Sequence, residues 1–347
     1  MILNDIERIW HQGKVLKTAF EEYRLCIEAV YEHGQEILKT PPGTPDEFEV
    51  ELNNVPAEFY SLKKNLFSTL FQSIYQLLNI IPQRRLLYGR LNHIFRIWVT
   101  SADNLLDNED KIVVPIKITG SSRVMRQIIS IMLADRILTN LLDEAVSENI
   151  LTAQQAKMIG EKSLQILLPS AAEEGSEEEG IVTRPEPEYI LNVIHTLKTG
   201  ILFHIPFLGP DNIESSIDRD ALKACKQGLM NFGIGCQILD DICDITRDYL
   251  EMRHNYIISK MQFEKPRYLA KLHEMESDIN ASTNVFANFP DVVCPAAEKA
   301  IELLTDGLVT LDKLGLGIGQ TAARQMAAAM FKVLGVGELT EWLKNKP

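Results

Sequence analysis

Apolar residues recur at three- and four-residue intervals over most of the chain, which predicts a protein built almost wholly from helices. Ile6, Ile9 and Trp10 open the pattern, and Val15, Phe20 and Leu25 continue it. From Ser122 to Val146 the spacing places Val124, Ile128, Ile131, Met132, Leu138, Leu141 and Leu142 on one broad helical face. Thr152 followed by Gln155 has the form of a capping box opening a further helix. An Ala-rich stretch from Thr321 to Leu334 closes the helical region. Strand signals are few. Ile112 to Ile116 is β-like and is read as an apolar connector.

Two stretches break the pattern. Residues 41–56 are rich in Pro, Gly, Asp and Glu and read as a loop. Residues 171–187 hold five glutamates between Glu173 and Glu179, then Pro185 and Pro187. Like charges this dense repel one another, so a mobile, solvated acidic loop is expected there. Gly315, Gly317 and Gly319 are spaced GxGxG rather than GxGxxG, with no strand before them, so a turn is expected and not a dinucleotide loop. No linker divides the chain, and a single helical domain over 1–347 is the expected organisation.

The chain has 347 residues, 46% of them hydrophobic, with a formal charge of -13. The acidic surface disfavours nucleic acid and anionic membranes as partners. No run approaches the ~18 apolar residues of a membrane span, so no stable membrane insertion is expected. Cys26, Cys225, Cys236, Cys243 and Cys294 form no CxxC pair and read as reduced thiols of a cytoplasmic protein.

One segment changes the picture from a helical protein to a candidate enzyme: Gly235-Cys236-Gln237-Ile238-Leu239-Asp240-Asp241-Ile242-Cys243-Asp244. Asp240 and Asp244 lie one helical turn apart, with Asp241 three residues before Asp244, so their carboxylates crowd one face. Mg²⁺ binds such carboxylates together with substrate phosphates, and would offset their repulsion. Ile234, Ile238, Leu239, Ile242 and Ile245 surround them, which suits a site wall better than a solvated face. A weaker cluster lies upstream, where Asp103 and Asp107 again share a helical face. Two helices presenting carboxylates toward one another could hold several Mg²⁺ ions around a diphosphate leaving group.

Gln237-x-x-Asp240-Asp241-x-x-Asp244 resembles the second aspartate-rich motif of the trans-isoprenyl diphosphate synthases, the polyprenyl synthetase family. Asp103-Asn104-x-x-Asp107 resembles their first motif, with Asn104 in place of an aspartate. Lys198-Thr199-Gly200, with Gly209 beyond it, resembles the family's Lys-Thr segment. The resemblance implies the all-α isoprenoid synthase fold, a bundle of antiparallel helices around a central apolar cavity, and a homodimer. It implies Mg²⁺ at Asp103, Asp107, Asp240, Asp241 and Asp244. It also implies an allylic isoprenoid diphosphate held by Lys198, with Gln237 supporting it or the neighbouring acids. Arg253 is near the place of a further diphosphate-binding cation. Trp98 and Val99, just before Asp103, would face the pocket below the metals.

The departures from the family pattern bear on the reaction. Chain elongation also requires isopentenyl diphosphate, which family members hold with arginines. Here the upstream stretch reads Ser61-Leu62-Lys63-Lys64-Asn65, and Ile112, Val113 and Val114 stand where an Arg-Arg pair is expected. Arginine's planar fork has no apolar equivalent. The sequence therefore favours a terpene synthase on this scaffold. The first alternative is a chain-elongating prenyltransferase using Lys63, Lys64 and arginines such as Arg84, Arg85 or Arg123. The second is a non-catalytic regulatory subunit. His195 and His204 read as packing residues. Asn255 and Ser259 only loosely match the second metal motif of terpene cyclases.

Overall fold

The computed structural model describes residue 10 and residues 13–120, 122–275 and 285–340. Among them the secondary structure is helical apart from one two-stranded pairing, as the periodicity predicts. Trp10 is buried; Ile6 and Ile9 lie outside the described residues. The chain forms two compact units.

The first unit comprises 14–164 and 205–219. Helix α1 (Lys14–Ile37) packs on α2 (Leu62–Leu77) and α3 (Pro82–Leu106), and α3 packs on α4 (Arg123–Ser147). Leu16, Ile27, Leu70, Ile74, Ile94 and Phe95 fill these contacts, each contributing about 1.5–3 kcal/mol by leaving water. In α4 the buried face carries Leu133, Ala134, Ile137, Leu138 and Leu141, while Val124 and Met132 are exposed. The face is thus rotated from the predicted one, with Leu138, Leu141 and Leu142 common to both. The capping box forms as expected: Gln155 N–H donates to Thr152 Oγ1 at 3.2 Å, and Thr152 N–H donates to Gln155 Oε1 at 2.9 Å. It opens α5 (Ala153–Gln165). Residues 116–117 leave the expected connector to pair antiparallel with Glu51–Leu52.

The second unit is built from 165–204 and 220–340. It contains α6 (Leu168–Glu177) and α7 (Pro187–Gly200), the latter widened to π-helical geometry over Ile190–Ile194 and Thr196–Gly200. Next come α8 (Arg219–Cys243), α9 (Ile245–Leu250), α10 (Tyr256–Glu264) and α11 (Pro266–Glu274). Helices α12 (Pro290–Leu311) and α13 (Gln320–Val333) complete it. Gly228 and Gly235 let α8 lie against α12. A Cβ on Gly235 would come within 2.8 Å of Leu304, and one on Gly228 within 3.1 Å of the Gly307 carbonyl. Gly315, Gly317 and Gly319 all adopt positive φ in the turn between α12 and α13, where a side chain would be strained.

The acidic segment differs from its expectation. Residues 168–177 form α6 rather than a solvated loop, and Glu173 and Glu177 are buried. Their charges are met by Lys198, Arg253 and His254, which are distant in sequence.

No single helix among the described residues is long and apolar enough to cross a membrane.

Candidate active site

The second aspartate-rich motif occupies the last turn of α8. Burial of Leu229, Phe232, Ile238, Leu239 and Ile242 fixes this helix's orientation. That leaves Asp240 exposed, Asp241 buried and Asp244 half-buried at the junction with α9. The Asp244 N–H donates to the Asp240 carbonyl at 2.8 Å, so the two residues keep the one-turn spacing. Loss of hydration and the nearby charges of Asp244 and Asp241 push the Asp240 carboxyl up to about 7. The charge repulsion is the firmer cause, because solvent reaches Asp240. Arg247 pairs with Asp244 at 2.6 Å, and Lys198 and Arg247 both act electrostatically on Asp240 in the opposite sense. Crowded carboxylate oxygens beside lysine and arginine fit a hard oxygen-seeking cation such as Mg²⁺ with an anion next to it.

Asp241 has a different character from its neighbours. Its Oδ1 accepts from Gln237 Nε2 at 2.9 Å. Its Oδ2 accepts from the Tyr256 N–H at 2.6 Å and lies 2.9 Å from His195 Nε2. Burial raises its pKa, but His195 and these hydrogen bonds outweigh burial and hold the carboxyl below its ordinary value. The structure thus ties Asp241 to protein donors and leaves Asp240 and Asp244 as the motif's outward acids. His195, expected only to pack, is the buried partner of Asp241.

Gln237 connects the motif to the Lys-Thr segment. It donates to Asp240 Oδ2 at 3.2 Å and to Asp241, and its Oε1 accepts from the Thr199 hydroxyl. The segment sits in the π-helical part of α7, a geometry frequent at functional positions. Gly200 admits Met230, whose sulfur would lie 2.6 Å from an added Cβ.

Lys198 and Arg253 are brought together, but onto the acids of α6. Lys198 Nζ lies 2.6 Å from Glu177 Oε1 and 3.4 Å from Glu174. Burial lowers the lysine's pKa, and the three carboxylates of α6 more than reverse this, so the ammonium stays charged. Arg253 reaches Glu177 at 3.8 Å, Glu174 at 3.9 Å and Glu251 at 3.3 Å. A bound diphosphate would exchange these carboxylates for phosphate oxygens. Lys198→Gln should weaken binding of inorganic diphosphate in the presence of Mg²⁺ by ~10-fold or more, the worth of a hydrogen bond to a charged group. Calorimetry checks this, and unchanged affinity would reduce Lys198 to a partner of α6.

Sequence reasoning did not single out Asp248, one turn beyond Asp244. It is buried and accepts from Asn255 Nδ2 at 2.8 Å; desolvation raises its pKa well above the ordinary range. The i+4 continuation of the motif was its available signal. Asn255 caps α10 and donates to the Asp241 carbonyl, and Ser259 donates to the Pro185 carbonyl at 2.5 Å.

The first motif lies in the other unit, at the end of α3. Asp103 and Asp107 are exposed, and the Asp107 N–H donates to the Asp103 carbonyl at 2.8 Å. Asn104 turns inward, 2% exposed, and donates to the Lys111 carbonyl at 2.8 Å. The residue that departs from the family pattern therefore braces the following loop. The Trp98 indole donates to the Ile131 carbonyl at 3.2 Å and meets Phe95 edge-on, and both Trp98 and Val99 are half-buried. Arg84 pairs with Glu214 at 2.9 Å, Arg85 forks onto Glu22, and Arg123 binds Asn108. Val114 is buried and the Val113 carbonyl accepts from the Tyr31 hydroxyl at 2.8 Å.

No family model and no curated protein matches the chain in sequence. Solved structures do match its fold. Geranylgeranyl pyrophosphate synthase from Lactobacillus brevis aligns with a TM-score of 0.60 at 13% identity, covering 94% of this chain and 98% of that one. Heptaprenyl diphosphate synthase from Staphylococcus aureus aligns at 0.57 and 12% identity, covering 89% and 98%. Polyprenyl synthase from Caulobacter crescentus, complexed with calcium and isoprenyl diphosphate, aligns at 0.56 and 12% identity, covering 94% and 98%. Over nearly its whole length, the chain thus has the all-α fold of the isoprenyl diphosphate synthases.

Proposed function

We infer that the chain is a metal-dependent enzyme of the polyprenyl synthetase family acting on an allylic isoprenoid diphosphate. The observation that carries this reading is the pair Asp240 and Asp244, crowded at the end of an apolar helix with Lys198 in electrostatic reach. Mg²⁺ held there would neutralise the diphosphate and favour its departure as a leaving group. Lys198 and Arg253 are assigned to the phosphate oxygens, and Gln237 to holding the acids in place. Asp241 is assigned a supporting role behind Asp240. The reading also assigns metal-binding roles to Asp103 and Asp107, and takes 1–347 to act as one domain in a homodimer.

The names of the neighbours in fold support a prenyltransferase, which joins the allylic carbon to isopentenyl diphosphate, and this is the leading form of the proposal. A specific observation favours a terpene synthase as the second reading. Ile112–Val114 occupy the place of an arginine pair, and Arg84 and Arg85 are held by Glu214 and Glu22. Lys63 and Lys64, both exposed, supply point charges without a fork. Incubation of the purified chain with Mg²⁺, C10 to C25 allylic diphosphates and labelled isopentenyl diphosphate separates the readings. Label in a longer diphosphate is the expected result. Diphosphate release with an unlabelled hydrocarbon or alcohol selects the terpene synthase. Neither outcome, with any allylic substrate, sinks the enzymatic reading in favour of a regulatory subunit.

A further inference from the structure

A second group of metal-ligand side chains lies in the same unit, on elements other than the helix that carries the aspartate motif. Glu173 and Glu177 are one turn apart on α6, and His254 comes from the segment between α9 and α10. One oxygen of each carboxylate and one ring nitrogen of His254 lie within 4.8 Å of one another. His254 Nδ1 is 3.0 Å from Glu173 Oε1 and 3.3 Å from Glu177 Oε2. Ligands about 2.0–2.2 Å from a tetrahedral Zn²⁺ stand roughly 3.3–3.6 Å apart, so little movement would bring these three onto one ion.

Two further observations point to a cation. Glu173 is 4% exposed, and its Oε2 is buried with no hydrogen-bond partner among the described residues. A buried carboxylate oxygen without a partner is costly, and a coordinated ion would remove that cost. Glu177, by contrast, is already oriented: Lys198 holds its Oε1, and the His254 N–H donates to its Oε2 at 2.5 Å. Such outer contacts commonly set the direction of a ligating carboxylate. Lys198 and Arg253 meet Glu174 and the Oε1 side of Glu177, while among the described residues the ion-pair partner of Glu173 is His254.

We propose that Glu173, Glu177 and His254 form a divalent-metal site separate from Asp240 and Asp244, selective for Zn²⁺ over Mg²⁺. The imidazole sets the selectivity, since nitrogen ligands suit Zn²⁺ and Mg²⁺ prefers oxygen. Three protein ligands leave a coordination position for water or an anion. The ion would clamp α6 to the Arg253–Asn255 segment, whose Asn255 braces the back of Asp241. The site does not depend on the isoprenoid reading.

The test is calorimetry of the metal-free full chain with Zn²⁺ in excess Mg²⁺, with Co²⁺ as an optical probe. About one ion per chain should bind, with a tetrahedral cobalt spectrum and a raised melting temperature. Glu173→Gln and His254→Asn should each abolish the spectrum, while Asp240→Asn keeps it. Absence of Zn²⁺ and Co²⁺ binding by the wild-type chain would overturn the proposal without reference to any variant. So would binding that both variants retain.

Discussion

Asp240→Asn should lower turnover of the allylic diphosphate by at least ~100-fold, as losing a principal electrostatic element commonly does. Asp240 is the exposed acid of the motif, and its carboxyl is crowded by Asp244 and Asp241. The same crowding gives the substitution a second signature. In the metal-free protein the Asp240 pKa is raised from 3.8 to about 7. Between those values the folded chain binds more protons than the unfolded chain, so stability falls as pH rises. Above about pH 7 the penalty of the ionised group is fully present. An asparagine does not ionise, so Asp240→Asn in chelator should melt above the wild type at pH 8. The gap should close toward pH 4. Loss of activity with gain of stability marks a residue kept for chemistry. Asp244→Asn should behave similarly in activity, although it also gives up the ion pair with Arg247. Near-normal diphosphate release by both variants would sink the assigned metal site.

The helical architecture was legible because apolar spacing is a local property. The capping box at Thr152 follows from sequence by the same logic, and so does the one-turn spacing of Asp240 and Asp244. The fate of α6 was not legible. The expectation of a solvated loop weighed the repulsion among five glutamates but not the partners of two of them. Lys198 lies 21 residues from Glu177, and His254 lies 77 residues from it. Local charge density predicts exposure only when no distant cation intervenes. The same limit applied to His195, whose pairing with Asp241 spans 46 residues. Asn104 illustrates the converse: a polar residue in a functional pattern can be turned inward by a loop that needs its amide.

Asp241→Ala should destabilise the metal-free protein by about 1–3 kcal/mol, the usual cost of leaving buried hydrogen-bond donors without their acceptor. Asp241 is 2% exposed, and its carboxylate oxygens serve Gln237, the Tyr256 N–H and His195, which is itself 1% exposed. Truncation leaves the Tyr256 N–H and the His195 ring buried without their acceptor. Among the described residues the His195 Nδ1 has no hydrogen-bond partner, so the ring would keep no hydrogen bond. The pH dependence should run opposite to that of Asp240. The folded-state pKa of Asp241 lies below 3.8, so its stabilising contribution is complete above that value. It is lost as pH falls through the lower folded pKa. Urea denaturation of wild type and Asp241→Ala in chelator should therefore differ by the full amount above about pH 5, and converge in stronger acid. Activity alone does not distinguish a supporting residue from a metal ligand, because either substitution removes it. Stability does. A variant that unfolds like the wild type yet fails to bind Mg²⁺ would make Asp241 a ligand after all, and would require the His195 pair to open when the metal enters.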